Sequence, residues 1–229
     1  MRIDIWGDVV CPWCYIGTAR FERALAGFEH RERVTVAHRS FELDPTRVPG
    51  EVEPNERMLA RKFGPRAAEM EGQVAELARG EGLDYQTDRL VGGTRDVHRL
   101  LHFADEHGAR HQLLTLLYEA NFGRGESVFT PDALVAVAER AGLDADAARA
   151  VLADPERYRD AVLADQREAA RLGANGVPFF VLDGRFAVSG GQSVATFEQA
   201  LRRAWGDRPL DTLGDTDGPR RRRRSAAES

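Results

Sequence analysis

Residues 9–17 read VVCPWCYIG, and Cys11 and Cys14 within them are the only cysteines of the 229-residue chain. Two cysteines separated by two residues can exchange disulfides, supply half of a metal site, or pack as small buried side chains. A structural zinc site takes four ligands, usually two cysteine pairs or cysteines with spaced histidines. There is no second cysteine pair here. His98 and His102 are four residues apart, as are His107 and His111, but no strand–helix connection directs either pair to Cys11, so no metal is expected. The context favours redox exchange: a strand runs up to Val10, and a helix then opens with Cys11 as its cap and Pro12 at its first position. Cys11 lies over the free N–H groups of a helix start, where the dipole favours a thiolate. Cys14 sits one turn deeper on the same side. This arrangement suits an attacking thiolate at Cys11 and a resolving thiol at Cys14.

The elements that hold this pair are legible from their periodicities. IDIWGDVV, 3–10, is short, β-branched and aromatic, and reads as a strand. YIGTARFERALAGF carries apolar residues at helical spacing, and VTVAHRSFEL, 34–43, reads as a second strand. Strand, helix, strand makes a βαβ unit. From 54 to 172 no strand pattern stands out, and helices are predicted over 55–63, 66–81, 95–107, 110–122, 131–141, 144–153 and 155–172. Thr130-Pro131 and Asp154-Pro155 read as caps followed by proline, and Gly64, Gly142 and Gly173 as C-terminal stops. Two short strands then follow, FFVLD and RFAVSG, joined at Asp183-Gly184, with a last helix over 193–205. The predicted fold class is α/β: β-α-β, a large all-helical insertion, then β-β-α. The expected domains are 1–49 with 173–207, interrupted by 50–172, and a disordered tail over 208–229. Val177-Pro178 stands just before the third strand of the sheet. A cis bond there, beside the cysteines, leaves the backbone of Val177 free to pair with an extended substrate.

DVVCPWCYIG near the N-terminus, FEL-D-P at 41–45, the helical insertion, GVPFFV at 176–181 and VSGGQ at 188–192 together resemble the DsbA family of thioredoxin-fold oxidoreductases, and more narrowly its FrnE-like cytoplasmic branch. The resemblance covers residues 1 to about 205. It implies a thioredoxin domain split by a helical domain, Cys11 as nucleophile, Cys14 as resolving thiol and a cis Pro178 loop. The redox group is then the Cys11–Cys14 disulfide itself, with no other cofactor and with glutathione as a possible co-substrate. Pro12, Trp13, Val177 and Pro178 are the residues expected to meet the substrate. Two departures stand out. The buried acid of thioredoxin and DsbA falls at Ile5 here, and the nearby acids are Asp4 and Asp8. Asp8, at a strand end, reads as a capping or exposed residue, with an inward-turned proton acceptor for Cys14 as the alternative. Between the cysteines stand Pro12 and Trp13, and tryptophan supplies no positive charge to a thiolate, which predicts a weaker oxidant than DsbA.

Related folds keep two alternatives open. Isomerases acting on 2-hydroxychromene-2-carboxylate and kappa-class glutathione transferases place a serine at the first cysteine position, and GGQSV, 190–194, lacks the Asp-Arg pair those enzymes use for glutathione. A peptide-binding chaperone module is the non-enzymatic alternative. His98 reads as a helix histidine packed or solvated at the domain junction. Phe41, Phe179 and Phe180 read as core by default, and Gln192 as a cap or a substrate contact. The net charge is −5, with 42% hydrophobic and 30% charged residues, a globular balance that argues against nucleic acid as a whole-protein partner. The run Arg220–Arg224 reads as a solvated tail. No stretch approaches the ~20 apolar residues of a membrane span. The N-terminus lacks a secretory h-region, so the expected location is cytoplasmic and away from membranes. The expected partners are thiol- or disulfide-bearing proteins or small molecules.

Overall fold

The computed structural model describes residues 1–207; the tail, including the arginine run, lies outside them. β1 (Arg2–Gly7) leads through a short turn into α1 (Pro12–Ala26), and β2 (Thr35–Ser40) follows. β1 pairs in parallel with β2, Ile3 opposite Val36. It pairs antiparallel with β5 (Phe179–Leu182), Ile5 opposite Phe180, and β5 pairs antiparallel with β6 (Phe186–Ser189). The sheet order is β2-β1-β5-β6. Period-2 alternation sends Ile3, Ile5, Phe180 and Leu182 to one face, against Phe21 of α1 and against Phe197 and Leu201 of α9 (Val194–Gly206). Trp6, Phe179 and Val181 go to the other face, against Ala169. Phe179 and Phe180 are therefore core residues on opposite sides of one strand, and Phe41 packs half-buried with the first of them.

Between β2 and β5 the chain builds α2 (Asn55–Phe63), α3 (Ala67–Gly80), α4 (Arg95–Glu106), α5 (Arg110–Tyr118), α6 (Pro131–Arg140), α7 (Ala145–Ala153) and α8 (Arg159–Arg171). Three local features depart from the periodicity reading. β3 (Val52–Pro54) and β4 (Leu90–Gly92) form an antiparallel ribbon, Val52 opposite Gly92; three-residue strands are too short to show a period. The helix expected over 110–122 ends as α5 at Tyr118 and continues as one π-helical turn, Glu119–Gly123. The helix expected from 155 begins only at Arg159: the Asp154 carboxylate accepts from the Glu156 N–H at 3.1 Å, and Tyr158 precedes the helix at φ 63°. Asp154-Pro155 thus starts a turn instead of a helix.

The helical block meets the edge of the sheet through a buried polar clamp. Asp165 of α8 accepts from the Ser40 N–H at 2.9 Å and lies 3.1 Å from His102 Nε2. Its backbone carbonyl receives the Trp6 indole N–H at 2.8 Å, and Arg110 donates to the Ser40 hydroxyl. Burial by itself raises the Asp165 carboxyl, but the bonds from His102 and Ser40 and the Arg110 charge bring it below the usual carboxylate range.

Close approach also fixes α1. A Cβ placed on Gly17 would lie 3.0 Å from both Gly191 Cα and Pro178 Cγ, so a glycine in the middle of α1 lets the helix lie directly on the Pro178 loop. That contact offsets the ~1 kcal/mol that glycine costs a helix interior. The substitution Gly17→Ala is expected to destabilise the protein by about 1–3 kcal/mol through overpacking, measured by urea unfolding. The carboxyl of Asp165 is lowered in the folded state, so it stabilises the fold above the ordinary carboxylate range, and this is lost as pH falls through the lowered folded value. Asp165→Asn should therefore lower Tm at neutral pH, with the gap to wild type closing as pH drops below ~4.

Candidate active site

Cys11 caps α1 with extended backbone angles, φ −88° and ψ 111°, and Pro12 occupies the first helical position. The Cys11 carbonyl accepts from the Cys14 and Tyr15 N–H groups at 3.0 and 3.3 Å, closing the first turn. Both thiols are free. Cys11 is 5% exposed and Cys14 1%, so the first meets the surface and the second is sealed behind it. The Val177–Pro178 peptide bond is cis. The Cys11 Sγ–H points at the Val177 carbonyl, 3.5 Å away. The spacing of 166 residues that separates them in sequence is thereby reduced to one hydrogen-bond length. A Cβ on Gly191 would lie 3.0 Å from the Trp13 carbonyl, so the glycine-rich turn after β6 lies close against the inter-cysteine dipeptide.

Behind the thiols the surroundings are polar but enclosed. Burial pushes the Cys14 thiol well above the ordinary cysteine range, with the neighbouring Cys11 adding to it, while the Asp8 N–H, donated to the sulfur, works the other way. The Tyr118 hydroxyl, at the end of α5, bonds to Cys14 and is itself pushed well up by burial and by the charges of Cys14, Cys11 and Asp8. Gly7 leaves room for both: its missing Cβ would stand 3.3 Å from Tyr118 Oη and 3.5 Å from Cys14 Sγ. Tyr15 stacks on Phe122 at 5.3 Å and leans on Tyr118 at 5.6 Å; burial pushes its hydroxyl up to about 12. Asn121, in the π turn, donates to the Val9 carbonyl at 2.9 Å and ties the helical block to the approach to Cys11.

Asp8 is neither a surface residue nor a cap. β1 ends one residue earlier, at Gly7, so Asp8 begins the turn and its side chain folds inward, leaving it 1% exposed. Its Oδ2 accepts from the Leu43 N–H at 2.7 Å and the Thr94 hydroxyl at 3.2 Å. His98, on α4, is also 1% exposed and places Nε2 3.4 Å from Asp8 Oδ1. Gln192 is not brought to the thiols. Its side chain is exposed and donates to the Ser189 carbonyl, and the cap of α9 is Ser193, whose hydroxyl accepts from the Thr196 N–H. His102 belongs to the Asp165 clamp, His107 bonds to the Phe103 carbonyl, and His111 stacks on His38. Tyr118, Thr94 and Asn121 carried no sequence signal. Each sits in a helical or turn context indistinguishable from ordinary packing, and only the fold brings them to Cys14 and Asp8.

From Cys11 a groove of about 500 Å³ opens along α2, α3 and the β3–β4 ribbon. Its walls are largely apolar, with Val10, Trp13, Leu43, Met58, Phe63 and Met70 among them, and Arg47, Arg61 and Lys62 add positive charge. Arg47 and Arg61 are engaged by Glu53. The Lys62 ammonium lies over the Phe63 ring at 5.4 Å. Among the described residues no helix is long and apolar enough to cross a membrane.

The fold that carries this site is shared with known proteins. The crystal structure of a probable DsbA oxidoreductase from Streptomyces coelicolor is 53% identical, covers 91% of this chain and 92% of its own, and superposes with a TM-score of 0.88. The same fold is found in a 2-hydroxychromene-2-carboxylate isomerase (15% identity, 94% and 100% covered, TM-score 0.65). It is found again in the cytosolic disulfide reductase DsbM from Pseudomonas aeruginosa, solved with GSH (18%, 90% and 100%, TM-score 0.62). The DSBA-like thioredoxin domain family matches residues 2–202, nearly all of the described chain, and the protein belongs to that family.

Proposed function

We propose that the protein is a cytoplasmic protein dithiol–disulfide oxidoreductase working through Cys11-Pro12-Trp13-Cys14. The observation that carries this reading is the placement of Cys11 at the open start of α1, 3.5 Å from the Val177 carbonyl, with Cys14 sealed one turn behind. A Cys11 thiolate attacks one sulfur of a substrate disulfide; that S–S bond breaks and the first substrate sulfur leaves as thiolate. Cys14 then attacks Cys11 Sγ, the mixed disulfide breaks, and the second substrate sulfur leaves as the Cys11–Cys14 bond closes. The substrate gains two electrons and the enzyme loses two; the reverse sequence oxidises a substrate dithiol. Val177 and Pro178 bound the approach to Cys11, and the Val177 backbone pairs with an extended substrate. Two thiols, with no serine at the first position, favour exchange over the isomerase and transferase chemistry that the fold also supports.

The surface beside the thiols supports a polypeptide substrate. Among the described residues the large hydrophobic side chains left exposed are Trp13, Leu43, Val48, Val52, Phe63 and Met70. Four of these line the groove, and Val48 and Val52 line a shallower depression that shares Asp44, Arg47 and Arg61 with it. Exposed apolar side chains gathered at one place mark an interaction site. Glutathione, small and polar, suits the role of co-substrate that returns the Cys11–Cys14 disulfide to the dithiol. The likeness to a cytosolic reductase supports the cytoplasmic placement.

The Cys14→Ser variant should accumulate mixed disulfides through Cys11, faster with an apolar disulfide-bearing peptide than with glutathione disulfide, as counted by mass spectrometry. Absence of any Cys11 adduct would overturn the exchange reading, and a preference for glutathione disulfide would overturn the polypeptide one. Trp13→His places a cation beside Cys11 and should raise the reduction potential by ~30 mV or more, a tenfold change in equilibrium, measured by equilibration against glutathione.

A further inference from the structure

α3 turns one stripe of side chains to the groove, Ala67, Met70, Glu71 and Val74 at helical spacing, and Glu71 is its one charged member. The wall around it, with Leu59 and Val91, is apolar. A carboxylate is costly in such a place unless it is paired and hydrogen-bonded. Glu71 meets that condition with one oxygen. Oε1 accepts from Asn55 Nδ2 at 3.0 Å, the Tyr85 hydroxyl at 3.0 Å and Arg89 Nη2 at 3.2 Å. These donors belong to residues that are 1%, 1% and 3% exposed. Oε2 has no hydrogen-bond partner among the described residues, although the Glu71 side chain is only 10% exposed. Buried donors converging on one oxygen fix the carboxylate and leave the other toward the groove that Glu71 lines.

We infer that Glu71 is a specificity-determining residue: Oε2 accepts a hydrogen bond from an uncharged N–H or O–H donor of the client lying in the groove, with apolar groups on either side. This deepens the exchange reading with a polypeptide client and rests on it. The donor is uncharged because the charge of Glu71 is already balanced. Arg89 pairs with it from the buried side and lies over the Phe122 ring at 4.5 Å, and Lys62 stands on the groove wall. A client lysine or arginine would face both cations; a neutral donor faces no such repulsion. The other acids lining the groove do not offer an oxygen in this way. Asp44 is held by Thr46 and Arg47. Asp8 gives Oδ2 to Leu43 and Thr94 and keeps Oδ1 buried on the His98 side. A client that is apolar throughout covers Oε2 without replacing its water, and leaving an acceptor buried and unpaired carries the desolvation penalty. The groove therefore selects against it.

The test is a competition between disulfide-bearing peptides for reduced full-length protein. Two peptides differ at one position, Gln in one and its near-isostere, the γ-methyl ester of glutamate, in the other; the position is moved along both sides of the cysteine. A second series methylates one backbone nitrogen at a time. Mass spectrometry gives the ratio of reduction rates. Wild type should favour the donor-bearing peptide about tenfold at one position, in the first series where the client gives a side-chain donor and in the second where it gives a backbone N–H. In Glu71→Gln the side-chain oxygen keeps the inward donors and an NH₂ group faces the groove, so the preference should disappear or reverse. A ratio taken within one sample is not moved by loss of folded protein. Absence of a discriminating position in wild type would overturn the proposal, as would a preference unchanged in Glu71→Gln. A lysine peptide that outcompetes the Gln peptide at that position would overturn the uncharged donor. If wild type reduces none of the peptides, it is the exchange reading that fails.

Discussion

The structure depends on the start of α1 being wedged between two hydrophobic cores. Downstream, Phe21 and Ala24 of α1 join the sheet and α9. Upstream, Cys11, Cys14, Tyr15 and Ile16 join the core of the helical block, with Leu100, Leu113, Leu117 and Phe122. One helix therefore serves two packing units, and the thiols fall where it passes from one to the other. Burial of this kind is favourable for apolar atoms and unfavourable for charge. It supplies the asymmetry a two-thiol site needs: Cys11 at the rim, open to a groove, and Cys14 in a buried medium that favours the thiol.

The helical block does more than fill the space between strands. Its π turn carries Asn121 to the Val9 carbonyl, and α5 carries Tyr118 to Cys14. α4 brings His98 to Asp8, and the ribbon with α2 and α3 forms the groove. A single extra residue in the π turn relative to α-helical spacing changes which side chains face inward, and such turns are often found where function fixes the backbone.

The spacing of Cys11 and Cys14, the proline at the first position of α1, the βαβ unit and the final hairpin are all visible in sequence, because each depends on neighbours within a few residues. The helices of the block were legible to within a residue or two where glycine stops and apolar periods agree, as in α2 and α6. Features set by distant residues were not. The inward turn of Asp8 depends on the Leu43 N–H and Thr94, 35 and 86 residues away. The delayed start of α8 reflects an Asp154 turn that competes with helix capping through the same side chain. The β3–β4 ribbon joins segments separated by two helices, and neither strand has the length to announce itself.

The groove wall and the thiols are contributed by different stretches of chain. The ribbon, α2 and α3 all lie within 52–92, whereas the redox pair and its cis-proline loop belong to the sheet and its flanking helices. They meet across the groove, lined by Trp13 and Met70 among others, and through Glu81, which pairs with Arg20 and Arg23 of α1. Under the exchange reading proposed above, the outer faces of the 52–92 segment would set which clients are admitted, while α1, Asp8 and the Val177–Pro178 loop hold the thiol environment. On that reading, a change of client would alter the groove wall and leave the thiol pair as it stands.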